Sequence, residues 1–116
     1  MKPDYTYKAH IDSIVDGDTV DATVDVGFKM TAKLRLRLLG VNTAELHSPD
    51  PNERKKAADA KLYAAITLLD QDVIIKTQKT DVFGRYLATV YFQVGENWIS
   101  FNDDLLVKGL AVPFKG

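Results

Sequence analysis

The 116 residues hold enough chain for one hydrophobic core but not two. With 46% hydrophobic and 27% charged residues the composition excludes disordered and collagen-like classes, and no apolar run reaches membrane-spanning length. The 15 basic and 16 acidic side chains leave a formal charge of −1, so no global positive field draws in a polyanion and any nucleic-acid binding has to be local or metal-assisted. Cysteine is absent, which removes disulfides, zinc-thiolate sites and thiol nucleophiles. His10 and His47 are too few for a multi-histidine centre, so a metal here would be held mainly by oxygen. The start Met1-Lys2-Pro3-Asp4 carries no apolar signal segment, and the expectation is a cytoplasmic protein.

Tyr5 to Val15 predicts a first strand with Tyr7, Ala9, Ile11 and Ser13 on one face. It runs into Val15-Asp16-Gly17-Asp18-Thr19, where Asp-Gly marks a tight turn between strands. The next segment alternates, with Val20, Ala22, Val24 and Val26 inward and Asp21, Thr23 and Asp25 outward. Two aspartates around a turn glycine serve a turn on their own, because Asp tolerates such backbones and bonds locally. They gain a second use if the segment after Arg37 folds back beside them, since Asp18 and Asn42 would then share a cation.

Gly27 and Phe28 turn the chain into a third strand, with Leu34, Leu36 and Leu38 on the core side and Lys33, Arg35 and Arg37 on the other. After Gly40 the alternation stops. Within a few residues the chain offers an amide oxygen at Asn42, a hydroxyl and a carbonyl at Thr43 and a carboxylate at Glu45. Oxygen donors beside an arginine suit a hard cation and a phosphate, although a solvated strand face followed by an ordinary turn accounts for the same residues.

His47 to Pro51 reads as a loop, and a helix begins sharply after it: Asp50 caps, Pro51 suits the first helical position and Glu53 completes a capping box. Ala58, Leu62, Ala65, Ile66 and Leu69 recur at helical spacing through Asp70 and predict a core-facing stripe, with Arg54, Lys55, Lys56 and Lys61 as a basic group on the opposite side. Asp72 to Gln78 is a β-branched strand leading into the polar turn Thr80-Asp81-Val82-Phe83-Gly84-Arg85-Tyr86. Leu87 to Val94 reads as a fifth strand, closed by a turn around Gly95-Glu96-Asn97. A short helix follows, capped by Ser100 or Asn102, with Asp103 and Asp104 at its positive end, Leu105 and Leu106 inward and Gly109 stopping it. Ala111 to Gly116 is a short tail. Five strands, with one helix after the third and another after the fifth, predict a mainly β fold: a five-stranded OB-type barrel flanked by a long helix and a short C-terminal helix.

Three stretches in order, Val15-Asp16-Gly17-Asp18-Thr19-Val20, Arg37-Leu38-Leu39-Gly40-Val41-Asn42-Thr43-Ala44-Glu45 and Asp81-Val82-Phe83-Gly84-Arg85, resemble the staphylococcal-nuclease-like (thermonuclease) family. Leu105-Leu106-Val107-Lys108-Gly109-Leu110-Ala111 is similar to that family's second helix and exit. The resemblance covers nearly the whole chain, so residues 1–116 are expected to form a single domain of this type without the family's third helix. It implies a calcium-dependent nuclease acting on the phosphodiester bonds of DNA and RNA. By motif, Asp18 matches the family's carboxylate ligand to calcium, Asn42 a second side-chain ligand and Thr43 a ligand through its backbone carbonyl. Asp16 matches a nearby acid behind them. Arg37 and Arg85 match the two arginines on the reacting phosphate, and Glu45 the carboxylate that activates water.

The chain departs from the family at Asn42, commonly aspartate, and at Ala44, commonly proline. Val82 and Phe83 stand where the best-known member has lysine and tyrosine, and the tyrosine pair of longer members is absent, leaving Phe114 as the tail's aromatic. The competing reading is a non-catalytic OB-type module that holds single-stranded nucleic acid or a protein partner. Arg37, Glu45 and Arg85 together favour the enzyme, because binding alone does not require a carboxylate beside a phosphate.

Overall fold

The computed structural model describes residues 4–80 and 85–114. Its elements are β1 (Thr6–Asp16), β2 (Thr19–Gly27), β3 (Met30–Leu38), β4 (Val41–Asn42), α1 (Pro51–Leu68), β5 (Asp72–Thr80), β6 (Tyr86–Val94), β7 (Asn97–Ser100), α2 (Phe101–Val107) and β8 (Val112–Pro113). The first three strands form an antiparallel meander, β5 pairs back onto β1, and β6 pairs with β5. A short parallel ladder between Leu36–Leu38 and Tyr86–Ala88 joins β3 to β6 and closes a five-stranded barrel, the OB-type architecture with its two helices outside. The Asp81–Gly84 part of the third motif lies outside the described residues.

Period-2 alternation fills the barrel: Ile11, Val20, Val24, Leu36, Leu38, Val73, Ile75 and Val90 are all buried on its inner side. Two of the sequence expectations break at bulges. The register of β1 shifts between Ile11 and Ser13, so Ser13 turns outward to donate to Asp21 (3.1 Å) while Ile14 packs against the core. In β2 a shift between Asp25 and Gly27 carries Val26 out of the barrel, where it is exposed rather than buried.

Helix α1 starts as its sequence predicts, with Asp50 accepting from the N–H of Asn52 (2.9 Å) and Pro51 in the first turn. Its buried face is not the predicted one. Ala57, Ala60, Ala64 and Leu68 pack inward, whereas Leu62 and Ile66 are 60% and 73% exposed, and Ala58 and Leu69 also face solvent. The cause is distance. A Cβ added at Gly17 would fall 2.7 Å from Cβ of Ala60 and 2.9 Å from Cγ2 of Thr43, so helix, β1–β2 turn and elbow meet too closely for any but the smallest side chains. The seam selects alanine, and the larger apolar residues are left outside.

Helix α2 is capped by Ser100, which accepts from the N–H of Asp103 (3.2 Å). Asn102, the other capping candidate, is buried. Its Nδ2 donates to the carbonyls of Leu39 (2.9 Å) and Ala88 (3.1 Å) and its Oδ1 accepts from the N–H of Val90 (3.1 Å), tying the helix to β6 and to the end of β3. The predicted tail also has structure: β8 pairs with β4, Val41 opposite Pro113 and Asn42 opposite Val112.

Leu36→Ala is expected to lower unfolding free energy in denaturant titrations by about 2–5 kcal/mol, with Lys33→Ala nearly neutral. Gly17→Ala, which forces a methyl group against Ala60, should cost about 1–3 kcal/mol, and Gly17→Ala combined with Ala60→Gly should recover part of it.

Candidate active site

The elbow after β3 is built around Arg37. The alternation of β3 places this residue on the face opposite the core, where the sequence predicts solvent. It is instead only 7% exposed, because the chain turns at Gly40 and folds β4 back over it. A buried guanidinium requires oxygen partners on its N–H groups. Nη1 donates to the carbonyls of Leu38 (3.0 Å) and Val41 (2.9 Å), and Nη2 donates to Oδ1 of Asn42 (3.2 Å) and lies 3.4 Å from Oδ2 of Asp18.

Asp18 is likewise 7% exposed. Its Oδ2 accepts from the N–H of Thr43 (3.0 Å) and its Oδ1 from the hydroxyl of Thr19 (3.1 Å), so the β1–β2 turn and the elbow are joined through one carboxylate. The adjacency that the sequence left open therefore exists: Asp18, Arg37, Asn42 and Thr43 form one cluster. Burial opposes ionisation of Asp18, but the hydrogen bond with Asp16, the Thr43 N–H and the Arg37 charge outweigh it and hold its carboxyl below the usual range. Asp16 behaves oppositely. Burial first, then the neighbouring Asp18 carboxylate, push it up to about 6. Its Oδ1 accepts from the Asp18 N–H (3.2 Å), which fixes the turn.

The donors that converge are oxygens only. Asp18 Oδ2 and Asn42 Oδ1 both lie within 3.4 Å of the same guanidinium nitrogen. One carboxylate, one amide and a nearby carbonyl at Thr43 are a donor set that suits a hard cation such as calcium rather than zinc. Among the described residues no three His, Asp or Glu side chains gather into a site.

Glu45 follows the elbow on the segment leading to α1; it is exposed, and its carbonyl accepts from the Ser48 N–H (3.3 Å). Arg85 is half-buried immediately before Tyr86, which pairs with Leu36 in the parallel ladder that closes the barrel. That ladder brings the Arg85 end of β6 to the same seam as Arg37. Phe114, the tail's aromatic, is open in the sequence to either a stacking face or incidental packing. The β4–β8 ladder and a bond from the Phe114 N–H to the Gly40 carbonyl (3.0 Å) hold it over the elbow, its ring centroid 5.6 Å from Cζ of Arg37. The one available signal was Pro113, a residue that strands accept at their edges.

The chain also matches known proteins by sequence. Residues 35–115, from the middle of β3 through the tail, match the family model described as staphylococcal nuclease homologue. The chain belongs to that family. It is also 33% identical over 125 residues to the uncharacterized protein MJ1439 of Methanocaldococcus jannaschii, an alignment covering 90% of this chain and 58% of the relative. The family match begins after the Asp16-Gly17-Asp18 turn, so it is the tertiary contact between Asp18 and Thr43 that joins this turn to the family's region.

The raised Asp16 has a consequence for the metal-free protein. A carboxyl whose folded pKa exceeds its unfolded value contributes stability that is full below about pH 4 and is lost as pH rises through about 6. Asp16→Asn should therefore be more stable than wild type at pH 8, with the gain shrinking below pH 4, as read by thermal melts in chelator across that range.

Proposed function

We propose that this chain is a calcium-dependent nuclease that hydrolyses phosphodiester bonds of DNA or RNA. The observation that carries the reading is the convergence of Asp18 Oδ2 and Asn42 Oδ1 on one side of the buried Arg37, in a chain that belongs to the staphylococcal nuclease homologue family. A phosphodiester is an anion that repels nucleophiles and gathers charge on its equatorial oxygens in the transition state. Arg37, fixed by two backbone carbonyls, keeps its cationic group in place without reorganisation during the reaction. Arg85 supplies the second guanidinium from the barrel seam. Asp18, Asn42 and the Thr43 carbonyl would hold the calcium ion, which when bound supplies charge to the phosphate and orders water. Glu45, exposed just beyond the elbow, takes the proton of the attacking water as the new P–O bond forms and the ester P–O bond breaks. Phe114 presents a face beside the arginine where a nucleoside of the substrate can rest.

The test is cleavage of single- and double-stranded DNA and of RNA, in calcium and in chelator. Arg85→Ala and Glu45→Gln should each lower turnover by on the order of 10²-fold or more while circular dichroism and melting stay native. Arg37→Ala should lose both activity and stability, because it strands Asp18 without its cation. Full activity in Arg85→Ala would remove that residue from the mechanism. Binding of oligonucleotide without any cleavage would favour the non-catalytic module.

Asn42 brings an oxygen but no charge, so Asn42→Asp should tighten calcium binding in calorimetric titration, and Asp18→Ala should weaken or abolish it. Equal binding by wild type and both variants would place calcium elsewhere.

A further inference from the structure

The apolar stripe that the sequence assigns to the core side of α1 is left on the outside of that helix, and its spacing is regular. Ala58, Leu62, Ala65 and Leu69 follow one another at steps of four, three and four residues, and Lys55 extends the row by a step of three toward the N-terminus. Steps of three and four in alternation are the a/d seam of a two-helix coil. Ile66 lies beside the seam. Leu62, Ile66, Leu69 and Ala58 are exposed and Ala65 is half-buried. At 3.6 residues per turn the row is centred roughly 130° around the helix from the buried Ala57, Ala60, Ala64 and Leu68, so α1 has one apolar face toward the barrel and another toward solvent.

The outer row is complementary to itself when reversed. In a parallel pair each residue meets its own equivalent: leucine crowds leucine, alanine leaves a gap at alanine, and Lys55 faces Lys55. In an antiparallel two-fold pair Leu62 seats on Ala65 of the second copy and Leu69 on its Ala58, so that large meets small in every layer. The ends match as well. The same pairing carries Lys55 to the C-terminal end of the other helix, where Asp70 and Asp72 hold exposed carboxylates. That end lacks a cation of its own, because no basic residue stands in the last turn of α1 to meet the negative end of the helix dipole. A two-fold axis makes this contact twice. An anionic membrane surface would instead meet the exposed Asp59 beside the stripe and the two carboxylates at its end.

The 18 residues of α1 make a helix about 27 Å long. Contact along that length buries on the order of 1,000 Å² in total, the lower edge of specific interfaces, and corresponds to a dimer that forms and dissociates with concentration.

We propose that α1 pairs antiparallel with α1 of a second copy of this chain through Ala58, Leu62, Ala65, Ile66 and Leu69, with Lys55 of each copy meeting the corner formed by Asp70 and Asp72 of the other. The inference does not rest on the nuclease reading, because the paired face is turned away from Ala60, through which the helix meets the β1–β2 turn at the elbow.

The experiment is sedimentation equilibrium of the full chain in chelator, from about 1 to about 500 µM. A monomer–dimer equilibrium with a Kd of about 10–100 µM is expected, weakened by salt. Leu62→Gln combined with Ile66→Gln, both at exposed positions, should keep native circular dichroism and weaken dimerisation about ten-fold or more, and Lys55→Glu should weaken it about two- to ten-fold. Because the chain contains no cysteine, introduced thiols report on the pairing alone. An equimolar mixture of the Ala58→Cys and Leu69→Cys variants should form the mixed disulfide under mild oxidation. Lys55→Cys, whose two copies would lie about 25 Å apart along the paired helices, should not cross-link to itself. A monomer throughout the concentration range, a dimer indifferent to the double Gln variant, or efficient self-cross-linking of Lys55→Cys would overturn the proposal. So would a monomer that co-sediments with vesicles of anionic phospholipid and loses this in the double Gln variant, which would assign the stripe to a membrane surface.

Discussion

Arg37 sets the constraint on which the functional end of the barrel depends. A guanidinium at 7% exposure is tolerable only if oxygens surround it, and the chain supplies them by turning sharply at Gly40 and bringing Leu38, Val41, Asn42 and Asp18 to its two terminal nitrogens. The requirement runs outward. Asp18, held by Arg37 and by the Thr43 N–H, fixes the β1–β2 turn against the elbow, and β8 pairs with β4 to cover the other side. A group suited to phosphate is in this way also the group around which local folding is arranged.

Packing then transmits this arrangement to the rest of the molecule. Gly17 lets α1 approach until Ala60 touches the turn, and Asn102 fastens α2 to Leu39, Ala88 and Val90. The parallel β3–β6 ladder adds the approach of Arg85 to the same end. Each contact is short and polar or small, and none is visible as a large hydrophobic patch.

A formal charge of −1 conceals two different electrostatic environments. At the elbow a buried arginine stands among neutral oxygens and one ionised carboxylate, with a second carboxyl, Asp16, reluctant to ionise. On the outside of the barrel Asp72 and Asp70 flank the His10 ring, 2.8 and 3.7 Å from its two nitrogens, and favour its cation. The first suits an anion with a hard cation, whereas the second is an ion-paired patch whose charges largely offset one another. Near neutrality of the whole chain thus reflects local separation of charge, which long-range steering does not reveal.

Alternation in the sequence determined the barrel strands and their inward residues, since period 2 is a direct record of which face is buried, and the Asp50-Pro51 cap determined where α1 begins. The ordered motifs around Asp18, Arg37 and Glu45 named the family that the comparison shows. Tertiary structure decided the rest. It turned Arg37 from a solvated side chain into a buried one, because β4 and β8, too short to carry a periodic signal, fold over it. It reversed the face of α1, because close approach at Gly17 selects for small size, and hydrophobicity alone does not distinguish an alanine seam from a leucine stripe. It also decided that Asp18 meets Thr43, a contact made by residues 25 positions apart, which spacing in the chain leaves open until the barrel closes.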